Sequence, residues 1–410
     1  MNEVINVHVG QAGNQIGETC WELFNLEHNI NNEEFVCNGE NNQDYHLRTF
    51  YSESQSHKFT PRALFVDTDA INNAFPFVHQ LHINGSQPAH TFEAGHESKI
   101  MEQVVESVRK QAEDCQSLQG FMIYRSISGG TGSGLGSAIL EYISEQFVNK
   151  SKIEIIVRDQ LDDGEQAINN TVLAAHSMLQ HSDCSFMINN AYLRDICAQI
   201  NAYPSFYNVN TIISQMVSSL TLSMRVDGYM FTSLSNIIEL LVPSPRLLFP
   251  CLSIAPFTPF QSPQQITDLV LKQAHILSTY QQNSTYQQNT SKLLSACFLY
   301  RGHFIPKEIS QNLCLRIKQT VRFADGCCSK FSINSKAANV SKSVFMAEKS
   351  VLFAHNSTDF TFWNKIIDKY EGKQNWNDDE TEAIMDLKEL EKDCAEMEKE
   401  IEPAGDMNDN

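Results

Sequence analysis

Gly120-Phe121-Met122-Ile123-Tyr124, followed shortly by Ser128-Gly129-Gly130-Thr131-Gly132-Ser133-Gly134, decides the fold. The first segment is a short apolar run and reads as a buried strand. Ser126 to Gly136 reads as a Gly/Ser loop. Leu135, Ala138, Ile139, Tyr142, Ile143 and Phe147 then mark one face of a helix. Glycines let backbone N–H groups converge on an anion with no Cβ in the way. The N-terminus of the next helix adds donors and positive potential. Such a loop can hold a triphosphate without a basic patch. No Gly-Lys-Ser/Thr follows, so this is not a Walker A loop, and the spacing does not fit G-x-G-x-x-G. A glycine turn that only tightens strand–helix packing is the other reading.

A second loop of the same kind opens the chain. Val4 to Val9 alternates as a strand should, and Gly10-Gln11-Ala12-Gly13-Asn14-Gln15 breaks the pattern. Ile16, Cys20, Leu23, Phe24 and Glu27 follow at helical spacing. Two such loops at one sheet edge make a composite phosphate site. A third strand, Ala63 to Val66, ends at that edge in Asp67-Thr68-Asp69. Carboxylates beside phosphates suit Mg²⁺, which prefers oxygen ligands, although turn-forming aspartates are common.

Further strands are expected at Ile153–Val157 and Ser185–Ile188, and a helix from Glu102 to Gln119. Strands alternating with helices predict a parallel sheet covered on both faces, with ligands at the carboxyl ends of its strands. Residues 31–57 are Asn-, Glu- and Ser-rich and look like a loop, and Asn210 to Arg225 is a long apolar helix. Beyond Asp227-Gly228 prolines cluster, and a second domain is expected to about residue 346. Ile384, Leu387, Leu390, Cys394, Met397 and Ile401 recur at helical spacing near the end. Thr279 to Ser284 is repeated almost unchanged as Thr285 to Thr290, too short a unit for a solenoid.

The 410 residues carry 30 Lys and Arg against 49 Asp and Glu, a net charge of −19. That balance argues against nucleic acid, which is held by clustered cations. The charge is uneven: from Asn377 to Asn410 there are 14 acidic and 3 basic residues, a net −11, leaving −8 for the rest. An exposed acidic end is expected. No stretch reaches the ~20 apolar residues of a membrane span, and Met1 to Val9 lacks the features of a secretion signal. The 11 cysteines include no C-x-x-C pair, which points to reduced thiols in the cytosol.

At this point the residues resemble the tubulin family. Gly10 to Gly17, Cys20-Trp21-Glu22-Leu23 and Gly129-Gly130-Thr131-Gly132-Ser133-Gly134 carry the resemblance, with Ser128 where the family has the first of three glycines. Leu26-Glu27-His28 is alpha-like. Pro61-Arg62-Ala63, His181-Ser182-Asp183-Cys184, Val242-Pro243, Leu299-Tyr300-Arg301-Gly302 and Leu390-Glu391-Lys392-Asp393 extend it over nearly the whole chain. The implied architecture is α/β. It has a Rossmann-like GTP-binding domain with a parallel sheet (1–205), a core helix (206–225) and an α/β intermediate domain (226–346). A helical C-terminal region (347–401) and an acidic tail (402–410) complete it. The resemblance implies GTP and Mg²⁺ as cofactors. Gly10, Gln11, Ala12, Gln15, Ser126, Gly129, Gly130, Thr131 and Gly132 fall on phosphate-binding positions. Asp69 and Gln11 fall near the metal, Asn190 and Asn210 on the guanine-reading positions, and Phe206 where an aromatic ring stacks on the base.

Departures from the pattern matter for mechanism. Alpha-tubulins insert an acid after the Arg-x-Asp-Gly motif into the next subunit's nucleotide site. Here the motif is Arg225-Val226-Asp227-Gly228, and Asn236 stands at the catalytic position with Ser233 for a nearby Asp. An amide can orient a water but cannot serve as its base. GTPase chemistry is therefore in question, and weak stimulation of a partner's hydrolysis is expected. The loop that ends in paired asparagines in the family reads Ala89-His90-Thr91, a poor fit to nucleotide contact. The ribose loop, Leu161 to Glu165, keeps none of the family's residues clearly. The lateral-contact segment is shortened to Phe257–Ile266. The resemblance thus implies a divergent alpha-like subunit of cytoplasmic or axonemal microtubules. It would pair with a beta-type tubulin and attract basic motors or associated proteins. The alternative is a non-polymerising or capping regulator.

Overall fold

The apolar runs become the middle of one sheet. In the computed structural model, residues 3–31, 36, 46–70, 82–158, 164–199, 202–226, 233–255, 264–271, 292–302, 323–334, 349–371 and 377–398 are described. β1 (Glu3–Val9) lies between β6 (Leu118–Ser126) and β4 (Ala63–Asp67), parallel to both. β7 (Ser151–Arg158) and β8 (Cys184–Asn189) extend the sheet in parallel on one side and β5 (His82–Asn84) on the other. Every residue of β1 and β4 is buried, as in parallel sheets covered on both faces.

Beyond β8 the sheet continues. β9 (Cys251–Ala255) joins it through Cys251 opposite Met187. Antiparallel pairing then brings in β12 (Ser350–Ser357) and β10 (Leu293–Arg301), and β11 (Phe323–Asn334) lies parallel to β10. Among the described residues one sheet runs β11-β10-β12-β9-β8-β7-β6-β1-β4-β5.

Helices cover both faces. α1 (Gly10–Glu27) and α7 (Phe206–Arg225) bury Ile16, Cys20, Phe24, Ile212 and Met216 against Met122, Tyr124 and Ile155. On the other face α3 (Met101–Glu113) and α4 (Gly136–Gln146) bury Val104, Val108, Ile139 and Ile143 against Val7, Phe121 and Ile123. β1 and β6 are neighbours whose following helices lie on opposite faces. That is a topological switch, and it opens a crevice at the carboxyl ends of the two strands. α5 (Glu165–His181) packs with α9 (Thr361–Glu371) and α10 (Asp378–Glu398) through Val172, Met178, Trp363, Ile384 and Leu387. Asn377 and Glu380 form a reciprocal capping box at the start of α10, where Asp378 and Asp379 also suit the helix dipole. Among the described residues no helix is long and apolar enough to cross a membrane.

A buried ionic cluster ties the central helix to both neighbours. Arg225 of α7 donates to Glu27 of α1 at 2.8 Å, and Arg301 of β10 donates to the other oxygen at 2.7 Å. Burial would raise the Glu27 carboxyl, but the two guanidiniums and Ser218 hold it down at about 2. His28, against Arg225 at 2.9 Å, is pushed down to about 3 by burial and by Arg225.

Three local expectations change. The helix expected over 102–119 stops at Glu113, because Leu118 and Gln119 already pair into β6. Within 31–57, β2 (Tyr51–Glu53) pairs antiparallel with β3 (Phe59–Pro61). Phe50 and Tyr51 are fully buried against Trp21, which outweighs the polar composition around them. The expected Gly/Ser loop from 126 to 136 is largely helical: Thr131–Leu135 forms a π-helical turn leading straight into α4. The tail 402–410, the 279–290 repeat, residues 161–163 of the ribose loop and most of the shortened 257–266 segment lie outside the described residues.

Candidate functional site

The crevice holds a cavity of about 700 Å³, within the range of small-molecule sites. Its walls include Gly10, Gln11, Ala12 and Gln15 from the start of α1, and Ser126, Gly129, Gly130, Thr131 and Gly132 after β6. Asp67 and Asp69 close it at the end of β4. Ala89 and His90 also line it, so the loop that fits nucleotide contact poorly in sequence reaches the site in space. Gly10 turns the chain from β1 into α1 at a φ of 71°, where a side chain would be strained.

The glycine run is pressed against α2 (Phe92–His96). A Cβ on Gly134 would sit on the carbonyl oxygen of Phe92, so the run is needed for close backbone approach. The packing reading of the glycines therefore holds at Gly134, and Gly129, Gly130 and Gly132 line the cavity.

Three buried side chains that sequence reasoning missed fix these loops. Asn170 of α5 donates to the carbonyls of Ser128 (2.9 Å) and His90 (3.1 Å) and accepts from the Phe92 amide (2.9 Å). Thr68 bonds Thr131 hydroxyl to hydroxyl at 2.6 Å and accepts from the Ala89 amide. Arg125, fully buried on β6, donates to the carbonyls of Gly132 and Ser133 and to Glu154 of β7. Only one signal for them was present in the sequence, a charged residue inside the otherwise apolar strand at 120–126.

Among the described residues, neither lysine nor arginine lines the cavity, so its donors are backbone amides at the first turns of two helices and neutral side chains such as Gln11, Ser126 and Thr131. Burial raises the Asp67 carboxyl, with bonds from the Asp69 and Thr68 amides opposing. No cluster of three or more His, Cys, Asp or Glu side chains able to hold a metal occurs among the described residues. The donor set nevertheless fits Mg²⁺ carried by a polyphosphate, which keeps several waters and takes one or two protein oxygens. Asp69, Asp67 and Gln11 offer such oxygens, and the Asn14 Oδ1 is buried at the wall without a partner, an acceptor suited to a metal-bound water.

The three expected base-reading residues are not among those lining this cavity. Asn190 is the first residue of α6 (Asn190–Gln199), at the same sheet edge, and its Oδ1 is buried without a partner among the described residues. Phe206 opens α7 and is 63% exposed. Asn210, one turn on, is buried, and its carbonyl accepts from Thr19 at 3.3 Å. Thr19 stands one turn along α1 from Gln15, so the start of α7 abuts the cavity rim. Asn236 lies elsewhere. It is exposed in the first turn of α8 (Leu234–Leu241), whose Leu234 amide donates to Gln119 at the amino end of β6. Asn236 and the cavity thus occupy opposite edges of the sheet.

Comparison with known proteins agrees with this geometry. The family pattern described as Tubulin/FtsZ family, GTPase domain, matches residues 3–198. The chain is 32% identical to the Tubulin alpha-8 chain of Caenorhabditis elegans, over 99% of this chain and 98% of that one. It is 33% identical to the Tubulin alpha-3 chain of Saccharomyces cerevisiae, over 97% and 98%. It is 32% identical to the Tubulin alpha-1 chain of Emericella nidulans, over 97% of each.

Proposed function

The chain belongs to the tubulin family, and from that premise we propose that it is a divergent alpha-like, GTP-binding subunit of cytoskeletal microtubules that pairs with a beta-type tubulin. One observation carries the proposal. Two glycine-bearing strand–helix junctions converge on one cavity with two carboxylates at its end. That is the chemistry of a metal-bound polyphosphate.

In this function the amides of Gly10 to Ala12 and of Gly129 to Gly132 hold phosphate oxygens. Gln11 and Asp69 hold the metal's water shell, and Mg²⁺ when bound offsets the phosphate charge. Asn190 and Asn210 read the guanine edge while Phe206 stacks on its face. Asn236, on the opposite edge, faces the next subunit of a head-to-tail filament. Its carboxamide holds a water in place but accepts no proton, so the chain stimulates its partner's hydrolysis weakly.

Purified protein, denatured and chromatographed, should release guanine nucleotide, and co-sedimentation with polymerised tubulin should carry it into the pellet. Absence of nucleotide would remove the GTP assignment. Protein left wholly in the supernatant would favour the second reading, a capping regulator, which rests on the shortened segment after Pro256. In assembled polymer Asn236→Glu should raise GTP turnover about tenfold or more, as restoring a general base does. Unchanged turnover would mean that the position is not catalytic. Localisation of tagged protein distinguishes cytoplasmic from axonemal arrays.

A further inference from the structure

Arg125 and Glu154 are both completely buried, in neighbouring strands, on a face otherwise lined by Phe121, Ile123 and Ile139. Buried ion pairs are often no more stabilising than apolar residues of the same size. The pair therefore needs a reason beyond packing, and its hydrogen bonds supply one. The Arg125 Nε donates to Glu154 at 2.6 Å, and the other Glu154 oxygen accepts from Ser185 of β8 at 3.0 Å. Nη1 reaches the carbonyl oxygens of Gly132 (3.2 Å) and Ser133 (3.1 Å) and the hydroxyl of Ser137 (3.0 Å).

The Gly132 carbonyl and the Ser133 N–H belong to one planar peptide unit. That N–H donates to the Gly129 carbonyl at 2.9 Å, and the Ser133 hydroxyl donates to the Gly130 carbonyl at 3.3 Å. Fixing the Gly132–Ser133 peptide from below therefore fixes Gly129 and Gly130, both in the cavity wall. Glycine backbones are otherwise the least constrained in a chain. A π-helical turn is also a rare element, frequent at functional sites.

We propose that Arg125 is a positioning residue for phosphate binding: clamped by Glu154, its guanidinium sets the orientation of the glycine turn whose amides face the anion. The proposal rests on the nucleotide assignment above and concerns a residue that touches no nucleotide itself.

The test uses the full-length chain in three forms: wild type, Arg125→Lys, and the double variant Arg125→Met with Glu154→Met, which leaves no orphan charge. Amide hydrogen exchange is followed without nucleotide, and affinity is measured for GTP and for guanosine. In the double variant, exchange over 129–134 should quicken at least tenfold while β1 and β4 keep their protection. GTP affinity should fall at least tenfold and guanosine affinity less than twofold, with Arg125→Lys between wild type and the double variant. Equal losses for GTP and guanosine, or no change in loop exchange, would overturn the clamp. Should wild type bind no GTP, the nucleotide assignment fails, and the exchange rates alone decide whether Arg125 orders the turn.

Discussion

The two halves of the candidate site are built differently. The proposed phosphate half is backbone held by buried side chains: Asn170 and Thr68 each bond segments that lie far apart in sequence, and Arg125 ties the glycine turn to β7. The proposed base half is side chains at the starts of two helices, with Phe206 largely exposed and the Asn190 Oδ1 without a partner among the described residues. An anion that several amides must meet at once needs a rigid cradle. A flat base needs only a ring and two amides within reach. The phosphate half should therefore fail through its scaffold, and the base half through single contacts.

The largest expected effect comes from attacking the scaffold. Asn170→Ala strands the Ser128 and His90 carbonyls and the Phe92 amide. These three bonds are part-buried, so at ~1 kcal/mol for each one lost, the loss in a denaturant titration should be ~2–4 kcal/mol. GTP affinity should drop along with it. A variant of normal stability would show that the two loops hold themselves without α5, and the contrast would collapse.

Phe206→Ala probes the other half. Base–aromatic stacking is worth ~1–3 kcal/mol, so GTP and guanosine should both bind roughly 5- to 150-fold more weakly. Stability should stay within ~0.5 kcal/mol, because the ring is already mostly in solvent. A large stability loss would mean that Phe206 packs in the fold instead of waiting for a base.

The smallest effect sharpens the comparison through pH. His96 of α2, which backs the glycine run, is raised above its ordinary 6.5 mainly by its 2.9 Å bond to Glu141 of α4. Burial alone would raise Glu141, but the imidazolium wins and leaves it lowered from 4.5. The pair's contribution is therefore complete between about pH 4.5 and 6.5. It fades as pH rises through the raised histidine value, and on the acid side as pH falls through the lowered carboxyl value. Both side chains are about a third exposed, so the contribution should stay below ~1 kcal/mol. The melting-temperature gap between wild type and His96→Gln should accordingly be larger at pH 6 than at pH 9. A gap independent of pH would mean that the pair does not hold α2 in place.

Much of the fold could be read locally. The runs at 4–9, 63–66, 120–124, 153–157 and 185–188 all lie in strands, and the long apolar helix ends at Arg225 as expected. The glycine run was legible as a strand–helix junction but not as a helix, because glycine has low intrinsic helix propensity. It is helical here because α2 and Arg125 press on it from two sides. Phe50 and Tyr51 were hidden in a polar stretch for the same reason, since their partner Trp21 lies about thirty residues earlier in the chain.

The sequence by itself determined the alternation of strands and helices, the two glycine junctions and the amide at position 236. Periodicity and backbone freedom are properties of a few neighbouring residues, and those can be read in order. The tertiary structure alone decided that Asn170, Thr68 and Arg125 converge beneath one cavity, that His90 lines it, and that Asn236 stands at the opposite edge of the sheet. Those facts depend on which strands are neighbours and on which face each helix packs. Both are set by the burial of the whole sheet, and no window of sequence contains them.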